Sequence, residues 1–249
     1  MTQIKLQPPI ENFDWNKNIS QLFGVNRSLY KERFNLPGHS GLDIYITGEK
    51  MGYGTPILAS HDGVVQKIQR DIPHRTSGNG IKILSLDNFF STAYWHLADF
   101  NCNVGDNIST GQVIGYLGNS GWVRPLPTQE NPHLGSHLHL GLEIYGQNSE
   151  YGTYVDPTPY LFKEGDKLPI YWSRDLFIGR EGDDVSFLQT CLKLEGFAEN
   201  YQPNGYFGPK TMQDVIKLQK KYELSPTIGY FGPLTRRVLK KYSSFYSLT

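Results

Sequence analysis

Short apolar runs separated by turn-forming residues dominate the first two thirds of the chain. Five of these runs are rich in β-branched or aromatic residues and are bounded by clusters of Gly, Asn, Asp or Pro, which is typical of strands. The predicted strands are residues 64–68, 81–86, 91–95, 113–117 and 138–145. Because several short strands at this spacing characterise antiparallel proteins, we expect an all-β sandwich or open barrel.

The pattern becomes helical in the last third of the chain. Val185, Leu188 and Leu192 recur at helical spacing within residues 183–194, and residues 210–222 behave in the same way. The stretch between the two patterns lacks periodicity and is interpreted as a linker. The sequence therefore predicts a multidomain protein. Its parts are a β domain over residues 1–162, a linker over residues 163–175 and a small all-α domain over residues 176–249.

An internal repeat organises the predicted helical domain. The motif at residues 205–211 recurs at residues 229–235, 24 residues later, and in each copy a proline stands where a helix would begin. Two loop-to-helix units following a first helix predict three helices. We expect Phe207 and Phe231 of the motif to be core residues, whereas the tyrosine before each one is compatible with either core or surface.

Composition excludes several classes of protein. The 249 residues contain 24 basic and 24 acidic side chains, so the charge balance gives no sign of a nucleic-acid partner. No apolar run approaches the roughly 20 residues of a membrane span, and we expect no membrane insertion and a monomeric protein. The two cysteines, Cys102 and Cys191, fall in different predicted domains and indicate no disulfide framework.

Four histidines and one aspartate in three short motifs are the candidate chemical groups. His39 and Asp43 form the first motif, His96 follows a predicted strand, and His137 and His139 form the third. Catalytic zinc sites typically use about three protein ligands of these types. An extended strand would separate His39 and Asp43 by about 13 Å, so we expect a bent loop that enters a strand and brings both side chains to one point.

The third motif leaves two interpretations open. His137 and His139 should face the same side of a strand. Both rings could bind one metal ion, or one could bind while the other transfers protons, and the spacing does not distinguish these roles. A structural zinc site would normally be closed by four Cys or His ligands, whereas the only two cysteines lie 89 residues apart. A catalytic site is therefore favoured.

Separated sequence blocks resemble the M23 (lysostaphin-type) zinc metallopeptidases over about residues 34–161. The blocks occur in the family's order, and they are residues 38–43, 54–65, 95–97, 104–106, 111–115 and 135–139. The resemblance implies that His39, Asp43 and His139 are the ligands of one zinc ion. It implies that His96 and His137 are catalytic neighbours that handle protons. The insertion at residues 122–134 is either a groove wall beside the site or a surface loop.

The repeat-containing region, about residues 176–242, resembles the type 1 peptidoglycan-binding domain. This second resemblance implies that bacterial peptidoglycan is the partner. Together the two predict a zinc-dependent endopeptidase that hydrolyses amide bonds in stem or cross-bridge peptides, as a lysin or a wall-remodelling enzyme. The competing interpretation is a non-catalytic wall-binding or activator protein on the same fold.

The first ten residues contain no apolar core of the kind that a secretory signal peptide requires. We nevertheless expect the protein to act at the bacterial cell wall. Either a signal has been removed, or the protein is a phage endolysin released through a separate permeabilising protein.

Overall fold

The computed structural model describes residues 4–70, 77–163, 165–168, 170, 172–198 and 201–243. The chain forms two compact units. The β unit comprises residues 1–21, 41–147 and 153–161, and the helical unit comprises residues 22–40, 148–152 and 162–249. Residues 164, 169 and 171 of the predicted linker lie outside the described residues. The domain boundaries drawn from the sequence stay a prediction.

The strands, all in the β unit, are β1 (Ile19–Gln21), β2 (Leu42–Ile44), β3 (Pro56–Leu58), β4 (Gly63–Gln69), β5 (Gly80–Ser85), β6 (Phe90–Trp95), β7 (Asp99–Phe100), β8 (Asn107–Ile108), β9 (Val113–Tyr116), β10 (Leu138–Ile144) and β11 (Tyr154–Val155). The α-helices are α1 (Trp15–Asn18), α2 (Arg27–Phe34), α3 (Thr158–Leu161), α4 (Asp183–Leu194), α5 (Pro209–Lys221) and α6 (Pro233–Leu239). Among the described residues, none of these helices has the length and apolar character needed to cross a membrane.

Two antiparallel sheets make up the β unit. The larger sheet has the order β1-β2-β10-β6-β5-β4-β8, with β11 also paired to β10, and the smaller has the order β3-β9-β7. The expectation of an antiparallel all-β domain is confirmed. The five predicted strands correspond to β4, β5, β6, β9 and β10. The other six strands are only two or three residues long, too short for a hydrophobic alternation to reveal them.

The helical unit contains the three predicted helices, α4, α5 and α6. Both α5 and α6 begin at the proline of the repeated motif, as the sequence indicates. Phe207 and Phe231 are fully buried, which confirms them as core residues, whereas Tyr206 and Tyr230 are each 38% exposed. The tyrosines left open by the sequence therefore belong to the surface.

A buried glutamine holds each copy of the repeated loop. Gln189 on α4 donates from Nε2 to the Tyr206 carbonyl at 3.0 Å and accepts at Oε1 from the Gly205 amide at 3.0 Å. Gln219 on α5 donates to the Tyr230 carbonyl at 2.8 Å and accepts from the Gly229 amide at 2.9 Å. Buried main-chain polar groups need hydrogen-bond partners, and in each loop a glutamine side chain supplies them. The two loops are therefore held in the same way.

The carboxylate of Glu195, which follows α4, is buried among cationic and phenolic groups. It accepts hydrogen bonds from Lys221 at 2.5 Å and from the Tyr242 hydroxyl at 2.8 Å, and it also pairs with Lys241. Burial alone would raise the pKa of Glu195, but these hydrogen bonds outweigh it and lower the pKa from 4.5 to about 2. Glu195 therefore remains ionised over the whole physiological range.

We predict that Glu195→Gln lowers the free energy of unfolding by about 1–2 kcal/mol at pH 7, because hydrogen bonds to a charged group are lost. A carboxyl whose pKa is depressed on folding stabilises the folded state above its unfolded pKa of about 4.5 and loses that contribution as the pH falls towards 2. Thermal unfolding of the two proteins should therefore differ at pH 7 and converge near pH 2–3. Glu223→Gln, at an exposed site, is the control, and a constant difference at all pH values would contradict the assignment.

Candidate metal centre

The register of three neighbouring strands brings the candidate residues together. In β10, His139 is paired with Asp43 of β2 on one side and with Trp95 of β6 on the other. Side chains alternate along a strand, so Leu138 and Leu140 face the core while His139 and Asp43 share the opposite face. His96 directly follows β6 and His137 directly precedes β10, so both lie at the edge of the same face.

His39, Asp43 and His139 form a group that can hold a metal ion. One ligand atom from each residue lies within 4.8 Å of the other two. Nδ1 of His139 lies 3.0 Å from Oδ1 of Asp43. A side chain at Gly41 would place its Cβ 2.5 Å from Nε2 of His139, so the glycine leaves room for this imidazole. The bent loop expected between His39 and Asp43 is present, and β2 begins at Leu42.

His39 is fully buried, and its ring is oriented by the main chain. Its Nδ1 lies 3.0 Å from the carbonyl oxygen of Leu22. Because a carbonyl oxygen can only accept a hydrogen bond, the geometry assigns the ring hydrogen to Nδ1 and the lone pair to Nε2. The neutral tautomer thus offers Nε2 as its ligand atom, and such outer partners commonly fix the orientation of metal-binding histidines.

His96 and His137 are held in the same way beside the three-residue group. Nδ1 of His96 lies 2.8 Å from the Ser120 carbonyl oxygen, and Nδ1 of His137 lies 2.7 Å from that of Gly135. The same reasoning places the lone pair of each neutral ring on Nε2. The two ring centroids are 4.7 Å apart, and Nε2 of His137 lies 3.7 Å from Oδ2 of Asp43.

The surroundings of His96 favour its neutral form. Burial, followed by the neighbouring imidazoles of His137 and His139, lowers the pKa of His96 from 6.5 to about 3. The residue also adopts a positive φ of 66°, a left-handed conformation that is uncommon outside glycine. Such strained positions concentrate at functional sites, where the surrounding structure compensates for the cost.

The donor set of this group fits zinc. Two imidazole nitrogens and one carboxylate oxygen are ligand types that zinc accepts, and three protein ligands are the number that catalytic zinc sites use. The Leu22 carbonyl supplies the outer hydrogen bond that accompanies most metal-binding histidines. Zinc is therefore the ion that these residues suit, and His39, Asp43 and His139 would hold it.

Other histidines belong to different surroundings. His61 is buried, but its ring bonds Thr92 Oγ1 at 2.9 Å and the Asp62 carbonyl at 2.7 Å. His133, in the insertion at residues 122–134, packs against the ring of Tyr53. His74 lies outside the described residues.

The insertion itself is tied down by Asn119, whose side-chain amide donates to the Pro132 and Leu134 carbonyls at 2.9 and 3.0 Å. Arg124 is exposed and lies over the ring of Trp122, 5.3 Å from its centroid. Its role as a groove wall or as a surface loop stays a prediction.

The carbonyl groups that orient the imidazoles of His39, His96 and His137 could not be identified from the sequence. Leu22, Ser120 and Gly135 act through main-chain oxygens, which every residue type carries. No residue type could therefore have signalled them. Gly41, by contrast, stands inside the first motif, and its small size was an available signal.

Comparison with known families agrees with this geometry. The sequence model of the family described as "Peptidase family M23" matches residues 37–157. The sequence model of a second family, described as "Putative peptidoglycan binding domain", matches residues 181–239. Residues 37–157 form a domain of peptidase family M23. Both resemblances drawn from the sequence are confirmed, and the M23 domain contains all five candidate residues.

Relatives of the M23 domain include a glycyl-glycine endopeptidase, ALE-1, from Staphylococcus capitis. It is 29% identical over 151 residues, which are 61% of this chain and 36% of that protein. Peptidoglycan DD-endopeptidase ShyA from Vibrio cholerae serotype O1 is 31% identical over 121 residues, 49% of this chain and 24% of that protein. The chain thus spans between about a quarter and about a third of the length of these relatives.

Solved structures that are similar to the chain include lysostaphin from Staphylococcus simulans. The match has a TM-score of 0.44 and 23% sequence identity, and it covers 65% of this chain and 53% of that chain.

We predict that Gly41→Ala weakens zinc binding by about tenfold or more while leaving the protein folded. The new Cβ would lie 2.5 Å from His139 Nε2 and 2.6 Å from the Leu140 carbonyl oxygen, so the imidazole must move. Displaced outer contacts typically reduce metal affinity 10- to 100-fold. Chelator competition measures the affinity, with Ser40→Ala in the same loop as the control. Equal affinities for all three proteins would contradict this account of Gly41.

Proposed function

We propose that this protein is a zinc-dependent endopeptidase that hydrolyses amide bonds in the stem or cross-bridge peptides of bacterial peptidoglycan. The observation that carries the proposal is the grouping of three ligand atoms within 4.8 Å, next to two imidazoles whose Nδ1 atoms are engaged by carbonyl oxygens. The M23 match over residues 37–157 supports the reaction class. In this proposal His39, Asp43 and His139 hold one zinc ion, and His96 and His137 are the catalytic residues.

A bound zinc ion would supply Lewis-acid chemistry, since it polarises a carbonyl and lowers the pKa of water to about 7. The chain supplies the proton transfers. His96 and His137 carry their lone pairs on Nε2, and in this proposal they accept there the proton that the attacking water loses as its oxygen bonds to the amide carbon. Once protonated, the same Nε2–H donates to the oxyanion or to the leaving amine. Because burial lowers the pKa of His96 to about 3, a proton that His96 accepts is readily passed on.

The carbonyl contacts also fix the orientation of the His96 and His137 rings. A ring held through Nδ1 cannot rotate freely, so its Nε2 keeps one orientation through both transfers. Ser120 and Gly135 thus position His96 and His137 without supplying chemistry themselves. Fixed orientation of this kind contributes to the rate because the reacting groups need no further ordering.

Peptidoglycan is the proposed partner of the helical region as well as the proposed substrate. The match to a putative peptidoglycan binding domain over residues 181–239 supports this, and we infer that the enzyme acts at the bacterial cell wall. Tyr206 and Tyr230 occupy equivalent positions in the two motif copies and are equally exposed. Exposed aromatic rings offer an apolar body with a polar tip, and we propose that they contact the wall polymer.

The competing function is a non-catalytic wall-binding or activator protein on the M23 fold. All five candidate positions are filled here by residues with the required chemistry. A protein that only binds the wall has no need for two oriented imidazoles beside a three-ligand group. The geometry therefore favours the enzyme.

We predict that two sets of alanine variants differ in whether they retain zinc. Alanine at His39, Asp43 or His139 should abolish stoichiometric zinc binding and activity together, whereas alanine at His96 or His137 should retain zinc and lose at least about 100-fold in activity. Zinc content is measured by elemental analysis and activity by amine release from purified peptidoglycan. Mass spectrometry of the fragments identifies the cleaved bond.

His133→Ala is the matched control, since it removes a histidine outside the group and should change neither quantity. If the zinc-loaded protein released no amines from peptidoglycans of any cross-link type, and His137→Ala changed nothing, the activator function would replace the enzyme. Loss of zinc in His96→Ala or His137→Ala would overturn the division of roles.

We predict that Tyr206→Ala and Tyr230→Ala each weaken co-sedimentation with peptidoglycan by about three- to tenfold, with a larger loss in the double variant, because each removes an aromatic contact. Hydrolysis of a short soluble peptide should stay unchanged in both. Tyr53→Ala, at a tyrosine of the β unit that is 36% exposed, serves as the control. Unaltered sedimentation of the double variant would remove these tyrosines from the binding surface.

A further inference from the structure

Residues 22–27, a short loop together with the first residue of α2, hold His39 at three points. The Leu22 carbonyl lies 3.0 Å from Nδ1 of the imidazole. The His39 amide donates to the Val25 carbonyl at 3.0 Å, and the Gly24 amide donates to the His39 carbonyl at 2.9 Å. Both the ring and the main chain of His39 are therefore positioned by this loop, which belongs to the helical unit.

The loop is in turn held by the first two turns of α4. Oγ of Ser186, which is 1% exposed, donates to the Gly24 carbonyl at 2.9 Å. The Asn26 amide donates to Oδ1 of Asp183 at 2.8 Å. Two side chains of α4 thus contact the main chain of the loop on either side of Val25.

Close packing leaves this loop little freedom. Gly24 has a φ of +78°, and a Cβ at this position would lie 2.3 Å from the Pro203 carbonyl oxygen. A Cβ at Gly205 would lie 2.8 Å from Cδ of Arg27 and 2.9 Å from Oγ of Ser186. A larger residue at either glycine would therefore displace its neighbours, which for Gly205 include Ser186 of α4.

We propose that Asp183 and Ser186 are positioning residues for His39, and that the peptidoglycan-binding region consequently contributes to zinc affinity as well as to wall attachment. The chain of contacts runs from α4 to Gly24 and Asn26, and from the same loop through Leu22 and Val25 to His39. Metal affinity depends on how well the ligands are held before the ion binds, because ordering them afterwards costs free energy. The inference rests on the proposed zinc site.

The experiment compares zinc affinities of full-length variants by competition with a chromophoric chelator. The double variant Asp183→Ala/Ser186→Ala should bind zinc about five- to tenfold more weakly, since two hydrogen bonds that hold the loop are lost. Asp184→Ala is the matched control, because it removes the same charge from the same helix turn but its side chain pairs with Arg174. The single variant Asp183→Asn should bind zinc almost as tightly as the unaltered protein, since the side-chain oxygen of Asn still accepts from the Asn26 amide.

A second measurement does not involve the metal. In the zinc-free proteins, amide hydrogen exchange at Gly24 and His39 should accelerate at least threefold in the double variant and stay unchanged in Asp184→Ala. Unchanged zinc affinity and unchanged exchange in a folded double variant would overturn the inference while leaving the zinc site intact. If the unaltered protein bound no zinc, the proposed function would fail first, and the exchange data alone would decide whether α4 orders His39.

Discussion

The register of β10 between β2 and β6 is the constraint on which the candidate metal centre depends. It places His139 opposite Asp43 on one side and opposite Trp95 on the other. A slip of one residue would turn His139 into the core and bring leucines onto the site face. Because Leu138 and Leu140 are fully buried, the hydrophobic core stabilises the register that the chemistry needs. The polar site is thus positioned by apolar packing on the reverse face of the same strands.

Orientation of the imidazoles is a separate constraint, and the main chain supplies it. His39, His96 and His137 each direct Nδ1 at a carbonyl oxygen, at 3.0, 2.8 and 2.7 Å respectively. The contact selects one neutral tautomer and leaves Nε2 with the lone pair, whether the ring is to bind a metal or accept a proton. One structural device therefore serves both proposed roles.

The strands and helices that were predicted correctly are those long enough to show a period. β10 and α4 span seven and twelve residues, whereas β2 spans only three, all of them buried. The convergence of His39, Asp43 and His139 was expected from a bent loop and a family pattern. The Leu22, Ser120 and Gly135 carbonyls were not predictable, because main-chain acceptors leave no mark on the residue type. The contacts of Gly24 with α4 were equally hidden, since the two lie about 160 residues apart.

The simplest interpretation of the sequence is that anchoring and catalysis reside in separate modules. The contacts of α4 with residues 22–27 indicate that the two modules do not act independently. Ser186 and Asp183 belong to the same helix as Gln189, which holds the first copy of the repeated loop and with it Tyr206. Deleting the helical region would remove the proposed wall contacts and the proposed support of His39 together, so a loss of activity after truncation would not reveal which was responsible. Single substitutions separate the two effects. Among the described residues, Tyr206 makes no hydrogen bond to residues 22–27, and Ser186 is buried, away from the surface that a polymer could reach. A binding domain that also orders a metal ligand would couple attachment to chemistry through one helix.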